Sequence, residues 1–494
     1  MLFLAVSALA TCPLRSTSGS SQPGLRAVPA SGPGFPAPRY VEQPLDHFNA
    51  SQTRTWQQAY YVNDTFWDGT GPVFVCVGGE GPPIDGSAVV SSVHCNNAVE
   101  FLPEVKGLMF AVEHRYYGCH NASACPYTPS DPQPLKWLSS RQALADLANF
   151  HAHATAAYSL SSANKWVSFG GSYPGMLAGW FRVMYPDLVH ASVSSSAPVI
   201  AKLEMKEYND IAAHAYTLAS VGGSAACNAA IAEGHATIGT MMNSSSGRAK
   251  LDTLFAAAKH LDLTTHDGQL QFAGNGVAYF PSQGNDPACQ NEDCDIAKIC
   301  ATMNAGSDNV ASLAAVAKAS PASAAALSSA RPAERSASCD ASPRTRGAHE
   351  ELDYWGWQTC TEFGFYQTCD LGSNCFYTQG LNLLPDMDGF CASDYGISQA
   401  EIAASIAATN AHYGADRPDL VHNATRVMYV NGDVDPWSGL SILPPSHTPA
   451  LPTLLVSGAS HHFWTHPSLP TDEPPIVAAR QAIRQQVKAW LAVA

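Results

Sequence analysis

The chain has 494 residues, more than the roughly 250–300 at which a single core stops growing, so one core plus a second lobe is expected. Charged residues make up only 14% and the formal net charge is −15, which argues against the basic face that nucleic-acid binding needs. Fourteen cysteines without a single CxxC pair leave no support for a zinc ribbon or a thioredoxin motif.

The N-terminus, Met1 to Ala10, is apolar and ends in Ala8-Leu9-Ala10, a small-x-small cleavage pattern. Residues 1–10 are therefore expected to be a signal peptide. Residues 11–39 are rich in Ser, Pro and Gly and read as a flexible leader. No other run approaches the roughly 20 apolar residues of a spanning helix, so no membrane span is expected. N-x-S/T sequons stand at Asn49, Asn63, Asn121, Asn243 and Asn423. Together with the cysteines they point to an oxidising, glycosylating compartment.

Ordered structure is expected from about Tyr40. Trp56 to Val62 is strand-like, and Pro72 to Val77 and Leu108 to Val112 read as buried strands. The first of these buried strands runs into the glycine-rich turn Gly78-Gly79-Glu80-Gly81. Ser140 to Ala157 has the apolar spacing of an amphipathic helix. Lys165 to Phe169 is a strand, followed by Gly170-Gly171-Ser172-Tyr173-Pro174-Gly175 and a helix through Met184. Val189 to Ser195 is the next strand. Strands alternating with helices imply a mainly parallel sheet covered on both faces.

From about residue 201 short Ala-rich helical stretches replace strands until about residue 410, and residues 305–338 are close to low complexity. Strand pattern returns at Arg426 to Val430 and at Leu454 to Val456, and a helix closes the chain from about Pro475 to Trp490. The expected organisation is an α/β core in two parts, residues 40–200 and 411–494, interrupted by a helical cap insertion at residues 201–410.

A serine between a strand and a helix, flanked by glycines, is the arrangement of a nucleophile elbow, and Ser172 occupies it. The turn is strained, so its neighbours must be small, and it aims the Tyr173 backbone N–H at a developing oxyanion. The strict G-x-S-x-G pattern is not met, because Pro174 displaces the glycine to Gly175. A second oxyanion donor is expected from the backbone of Gly79 or Glu80. Two acids, Asp433 and Asp435, follow the late strand, and either fits the Ser…Asp…His order of an α/β-hydrolase. His461 follows the next strand as candidate base, with His462 and His466 as rivals. Serine is a poor nucleophile until such a base is within hydrogen-bond reach. A zinc site at the three histidines lacks an HExxH pattern or a Cys partner, so neither a metal nor another cofactor is expected.

With these residues in place the sequence resembles the family of lysosomal Pro-X carboxypeptidase, dipeptidyl peptidase II and thymus-specific serine protease. The likeness covers nearly the whole ordered chain. It rests on Gln43-Pro44-Leu45-Asp46-His47-Phe48, Gly79-Glu80-Gly81, Glu113-His114-Arg115-Tyr116-Tyr117-Gly118, Gln142-Ala143-Leu144-Ala145-Asp146-Leu147 and Gly170-Gly171-Ser172-Tyr173. It continues through Gln358-Thr359-Cys360-Thr361-Glu362, Asp435-Pro436-Trp437 and His461-His462. The resemblance implies an α/β-hydrolase core with a helical cap, Asp435 as the acid and His461 as the base. It implies a substrate pocket at Met176 and Trp437, with Trp355 and Glu362 as further candidates. It also implies a Cys360–Cys391 disulfide, with Cys119–Cys125 and Cys369–Cys375 as local candidates.

Three departures bear on specificity. Relatives that cleave after proline continue Leu-Asp-Leu-Arg after the paired histidines, where this chain has Phe463-Trp464-Thr465-His466. Gly356 stands where the dipeptidyl peptidase II type carries an acid. Glu362 to Thr368 is most similar to the thymus-specific branch. The class implied is a serine exopeptidase, with an esterase or lipase on the same core and a catalytically inactive binding protein as alternatives. Its expected partner is a peptide, a second copy of the chain being left open, in a secreted or lysosomal/vacuolar setting.

Overall fold

The computed structural model describes residues 34–128, 130–255, 258–289, 294–319, 352–415, 424–445 and 450–492. Residues 1–10, most of 11–39, Cys12, Cys339 and Asn423 lie outside this set.

The strands are β1 (Arg39–Pro44), β2 (Thr55–Asn63), β3 (Val73–Val77), β4 (Leu108–Val112), β5 (Trp166–Gly171), β6 (Ala191–Ser195), β7 (Lys202–Glu204), β8 (Gly364–Tyr366), β9 (Val427–Gly432) and β10 (Thr453–Val456). Eight of them form one sheet in the order β1-β2-β4-β3-β5-β6-β9-β10. Only β2 runs against the rest, pairing antiparallel with β1 and β4. The other neighbours pair in parallel.

The central strands β3, β4, β5 and β6 are buried at every residue, as continuous apolar runs in a doubly covered parallel sheet should be. Side chains alternate between faces. Val73, Val75 and Val77 face one layer with Leu144, Leu147 and Phe150 of α1 (Ser140–Ala157) and Met176, Leu177 and Phe181 of α2 (Tyr173–Met184). Phe74 and Cys76 face the other, where the C-terminal helix Pro474–Ala492 contributes Ile476, Ile483, Val487 and Trp490. This is the expected α/β-hydrolase fold, with β1 added at one edge.

Between β6 and β9 the chain builds a second apolar cluster from helices. Its members include Ile231 and Ile238 of α3 (Ala225–Met242), Ile296 and Ile299 of α4 (Ile296–Ala305) and Leu313 of α5 (Asn309–Ala319). The segment is not purely helical, since β7 and β8 pair in parallel as a two-stranded sheet. Val434, from the loop after β9, is fully buried in this same cluster. The acid loop is thereby clamped between the inserted helices and the sheet.

Six disulfides lie among the described residues. Cys360–Cys391, Cys119–Cys125 and Cys369–Cys375 are bonded. Cys76–Cys95, Cys227–Cys300 and Cys289–Cys294 are bonded as well, pairings the sequence left unassigned. Among the sequons, Asn49, Asn121 and Asn243 are exposed, whereas Asn63 is half-buried and its Nδ2 donates to Val89 O at 2.9 Å. Among the described residues no helix is long and apolar enough to cross a membrane.

Candidate active site

Ser172 sits between β5 and α2 with φ 65° and ψ −134°, a strained conformation for a residue with a side chain. The neighbours must be small for this turn to close. A Cβ on Gly170 would lie 2.2 Å from Pro174 O, and one on Gly175 would lie 2.7 Å from Ser195 O. A Cβ on Gly79 would meet the Pro174 ring at 2.2 Å. So Pro174 in the first helical turn, where its missing N–H is no loss, packs on Gly79, and the glycine demand moves to position 175. Ser172 N donates to Ser195 O at 3.0 Å, which ties the elbow to β6.

The two acids behind β9 separate by partner. Asp433 Oδ1 accepts Gly458 N–H at 2.7 Å and so closes the turn after β10. Asp435 is fully buried; its Oδ1 accepts Trp437 N–H at 3.0 Å and its Oδ2 lies 2.9 Å from His461 Nδ1. Pro436 restricts the preceding residue to extended backbone, and Asp435 has φ −79° and ψ 114°. His461 N donates to Gln283 O at 3.1 Å. With Nδ1–H directed at the carboxylate, Nε2 is the basic nitrogen, and it is buried without a hydrogen-bond partner.

His462 points elsewhere. Its backbone N donates to Ser196 Oγ at 2.8 Å and its Nδ1 lies 3.2 Å from Thr465 Oγ1. Burial and the neighbouring imidazoles of His461, His94 and His466 hold it well below the usual histidine range. Among the described residues no group of three or more His, Cys, Asp or Glu is arranged to hold a metal ion.

Ser172 and His461 open onto one cleft of about 440 Å³, whose walls include Gly79, Glu80, His94, Gln283 and Asn285. Glu80 Oε2 is buried without a partner, and burial pushes this carboxyl up to about 8. The four pocket candidates do not line this cleft. Met176 is fully buried in the sheet core. Trp437 packs against Tyr208 and Phe365 at 5.3 and 5.4 Å, with its ring 6.5 Å from that of His461. Trp355 packs beside Tyr173, with ring centroids 5.6 Å apart and planes tilted by 56°. Glu362 is buried and accepts Ser140 N–H and Oγ–H at 2.9 and 2.6 Å, at the start of α1. Sequence reasoning missed Gln283 and Asn285, because Pro281-Ser282-Gln283-Gly284-Asn285-Asp286 carries only turn composition.

Residues 43–483 match the serine carboxypeptidase S28 family. Human thymus-specific serine protease is 33% identical over 96% of this chain and 88% of its own length. The mouse protein of that name is 35% identical over 96% and 91%. Mouse lysosomal Pro-X carboxypeptidase is 35% identical over a shorter stretch, 40% of each chain. The chain therefore belongs to the serine carboxypeptidase S28 family and is a serine peptidase.

Proposed function

We propose that this peptidase is an exopeptidase that works through an acyl-enzyme on Ser172. Ser172 Oγ attacks the scissile carbonyl carbon as His461 Nε2 takes its proton. Asp435 holds the imidazole tautomer and stabilises the imidazolium. The oxyanion is received by the Tyr173 backbone N–H together with that of Gly79 or Glu80. The protonated His461 then gives its proton to the departing amine. Water attacks the acyl-enzyme by the same route in reverse and restores Ser172.

One observation carries this reading: the buried 2.9 Å contact of His461 Nδ1 with Asp435, with Nε2 unpartnered in a cleft that also holds Ser172. Catalytic hydrogen bonds to the nucleophile commonly tighten only with substrate bound. We read residues 201–410 as a cap over a core made of residues 40–200 and 411–494. The six disulfides support a secreted or lysosomal/vacuolar lumen.

The test is fluorophosphonate labelling together with hydrolysis of a peptide library. Wild type should label and release residues from one peptide end. Ser172→Ala should lose labelling and at least about 10⁴-fold in rate. Labelling retained in Ser172→Ala would remove Ser172 from this role. Hydrolysis of short esters without peptides would favour the esterase reading, and absence of labelling in wild type would favour an inactive binding protein.

A further inference from the structure

One wall of the cleft is not used by the chemistry above. It is the segment 281–286, contributed by the inserted region, and its Gln283 carbonyl is what holds the His461 backbone N–H. The Gln283 side chain has a fixed orientation. Trp437 Nε1–H, an indole that can only donate, reaches Gln283 Oε1 at 3.0 Å, and Tyr208 OH donates to the same oxygen at 2.8 Å. Its Nε2 is thereby turned away from these two groups and has no hydrogen-bond partner among the described residues.

Asn285 repeats the arrangement. Its Oδ1 accepts Ile296 N–H at 2.9 Å, at the start of α4. Its Nδ2 is buried without a partner, and the residue is only 1% exposed. A buried amide donor left unpaired is costly, and its presence calls for an explanation. Both residues belong to the wall of the cleft that holds Ser172 and His461. No lysine or arginine lines it among the described residues, while Glu80, Asp85 and Asp286 do. An acceptor oxygen entering this cleft therefore meets neutral amide donors and no fixed cation.

We propose that Gln283 and Asn285 are substrate-binding residues, whose side-chain N–H groups donate to carbonyl-type oxygens of the peptide beside the scissile bond. This rests on the reading of Ser172 and His461 as nucleophile and base. The oxygen is either a main-chain amide carbonyl or a terminal carboxylate. A minimal ester such as p-nitrophenyl acetate has one carbonyl, which the oxyanion hole takes, so it offers the pair nothing to bind.

Gln283→Glu and Asn285→Asp separate the donor from its surroundings. Each keeps the oxygen that holds Trp437, Tyr208 or Ile296 and replaces the unpaired donor by an acceptor. The measurement is kcat/KM for a tripeptide and for p-nitrophenyl acetate. In each variant the peptide-to-ester ratio should fall about tenfold, the scale of one lost hydrogen bond with its partner left unpaired. A ratio equal to that of wild type overturns the proposal. If Gln283→Glu is not recovered folded, Gln283→Met carries the same test with the same two outcomes. Tripeptides with free and amidated C-termini distinguish the two oxygens. A fall confined to the free acid assigns the terminal carboxylate, and a fall in both assigns the main-chain carbonyl. Fluorophosphonate labelling run in parallel keeps the readings apart. Wild type that fails to label overturns the nucleophile and base, whereas variants that label like wild type with an unchanged ratio overturn only the carboxamide pair.

Discussion

Asp433 and Asp435 stand two residues apart and meet different partners, which makes them a sharp test at the scale of single residues. Asp433 spends its carboxylate on the Gly458 N–H, a turn bond that an asparagine oxygen can also accept. Asp435 is fully buried between the Trp437 N–H and His461 Nδ1. An asparagine there could present its amide to the imidazole and stabilise the wrong tautomer, which in a serine-protease triad costs about 10⁴-fold. We therefore expect kcat/KM to fall about 10⁴-fold in Asp435→Asn and only a few-fold in Asp433→Asn. Equal losses in the two variants would show that the turn, not the acid, is being measured. The residues themselves left this choice open, because both acids follow the same strand. What separates them is backbone direction, set by Pro436 on one side and by the Gly458 turn on the other. The shifted glycine of the elbow is likewise explained only by packing, since the Pro174 ring must find Gly79 from another strand.

Among elements, a buried polar chain joins the sheet, α2 and the inserted region behind the elbow. His114 Nδ1–H donates to Arg115 O at 2.7 Å, so its Nε2 accepts from Tyr173 OH at 2.9 Å. Tyr173 OH in turn accepts Gln358 Nε2–H at 3.0 Å, and Gln358 Oε1 accepts Tyr117 OH at 2.7 Å. Gln358 Nε2 also donates to Glu362 Oε2 at 3.1 Å. Every donor has one direction, and every member is buried. Gln358→Leu keeps the bulk and strands Tyr117 OH, while Glu362 Oε2 keeps the Ser140 N–H at 3.0 Å, so stability should fall by about 1–3 kcal/mol, the desolvation cost of one orphaned group. Urea unfolding measures this, and a loss under about 0.5 kcal/mol would mean the chain relaxes or takes up water. The motifs that made the sequence recognisable divide along the same line. Arg115 pairs with Asp146 through two contacts of 2.7 Å, and His47 Nε2 reaches Asp146 Oδ1 at 2.7 Å. Three signature stretches thus meet in a buried ion pair that holds chain segments together, while the Ser and His stretches meet at the cleft with Asp435 buried behind His461. Strands and long helices were legible because apolar periodicity reports burial directly. The wall at 281–286 and the Cys227–Cys300 and Cys289–Cys294 pairings were not, because turn residues and cysteines outside the recognised stretches carry no sign of what they face.

For the whole molecule, the groups buried without charge set how stability depends on pH. Burial pushes His94, His114 and His235 down to about 4. His235 shows why. It is fully buried, and its Nδ1–H donates to Ile231 O while its Nε2 accepts Val277 N–H, so a second proton would charge a desolvated ring and displace that bond. An unfolded histidine titrates near 6.5. Between about 6.5 and 4 the unfolded chain therefore binds protons that the folded chain does not, and stability is lost as pH falls. Glu80 works in the opposite direction. Burial raises it from the ordinary carboxyl range to about 8, and Glu113 and Glu362 are raised by the same cause. Above about 4.5 the folded chain keeps the Glu80 proton and the unfolded chain releases it, so stability is lost as pH rises, with Glu113 and Glu362 shifted in the same direction. The two trends oppose each other between about 4.5 and 6.5 and leave a plateau there. Above 6.5 the unfolded histidines are neutral and only the carboxyl trend remains, at about 1.4 kcal/mol per pH unit for each group still protonated. Stability should therefore be greatest between about pH 4.5 and 6.5 and decline from about 6.5 towards 8, with Glu80→Gln shallower than wild type over that upper range. Urea unfolding at intervals from about pH 4 to about pH 8.5 reads both limbs. Wild type that gains stability from 6.5 to 8 would mean that Glu80 is ionised in the folded chain. The plateau coincides with the range of an acidic lumen, where Glu80 stays protonated while the deeply buried histidines remain largely neutral, so both kinds of group stay uncharged in the interior.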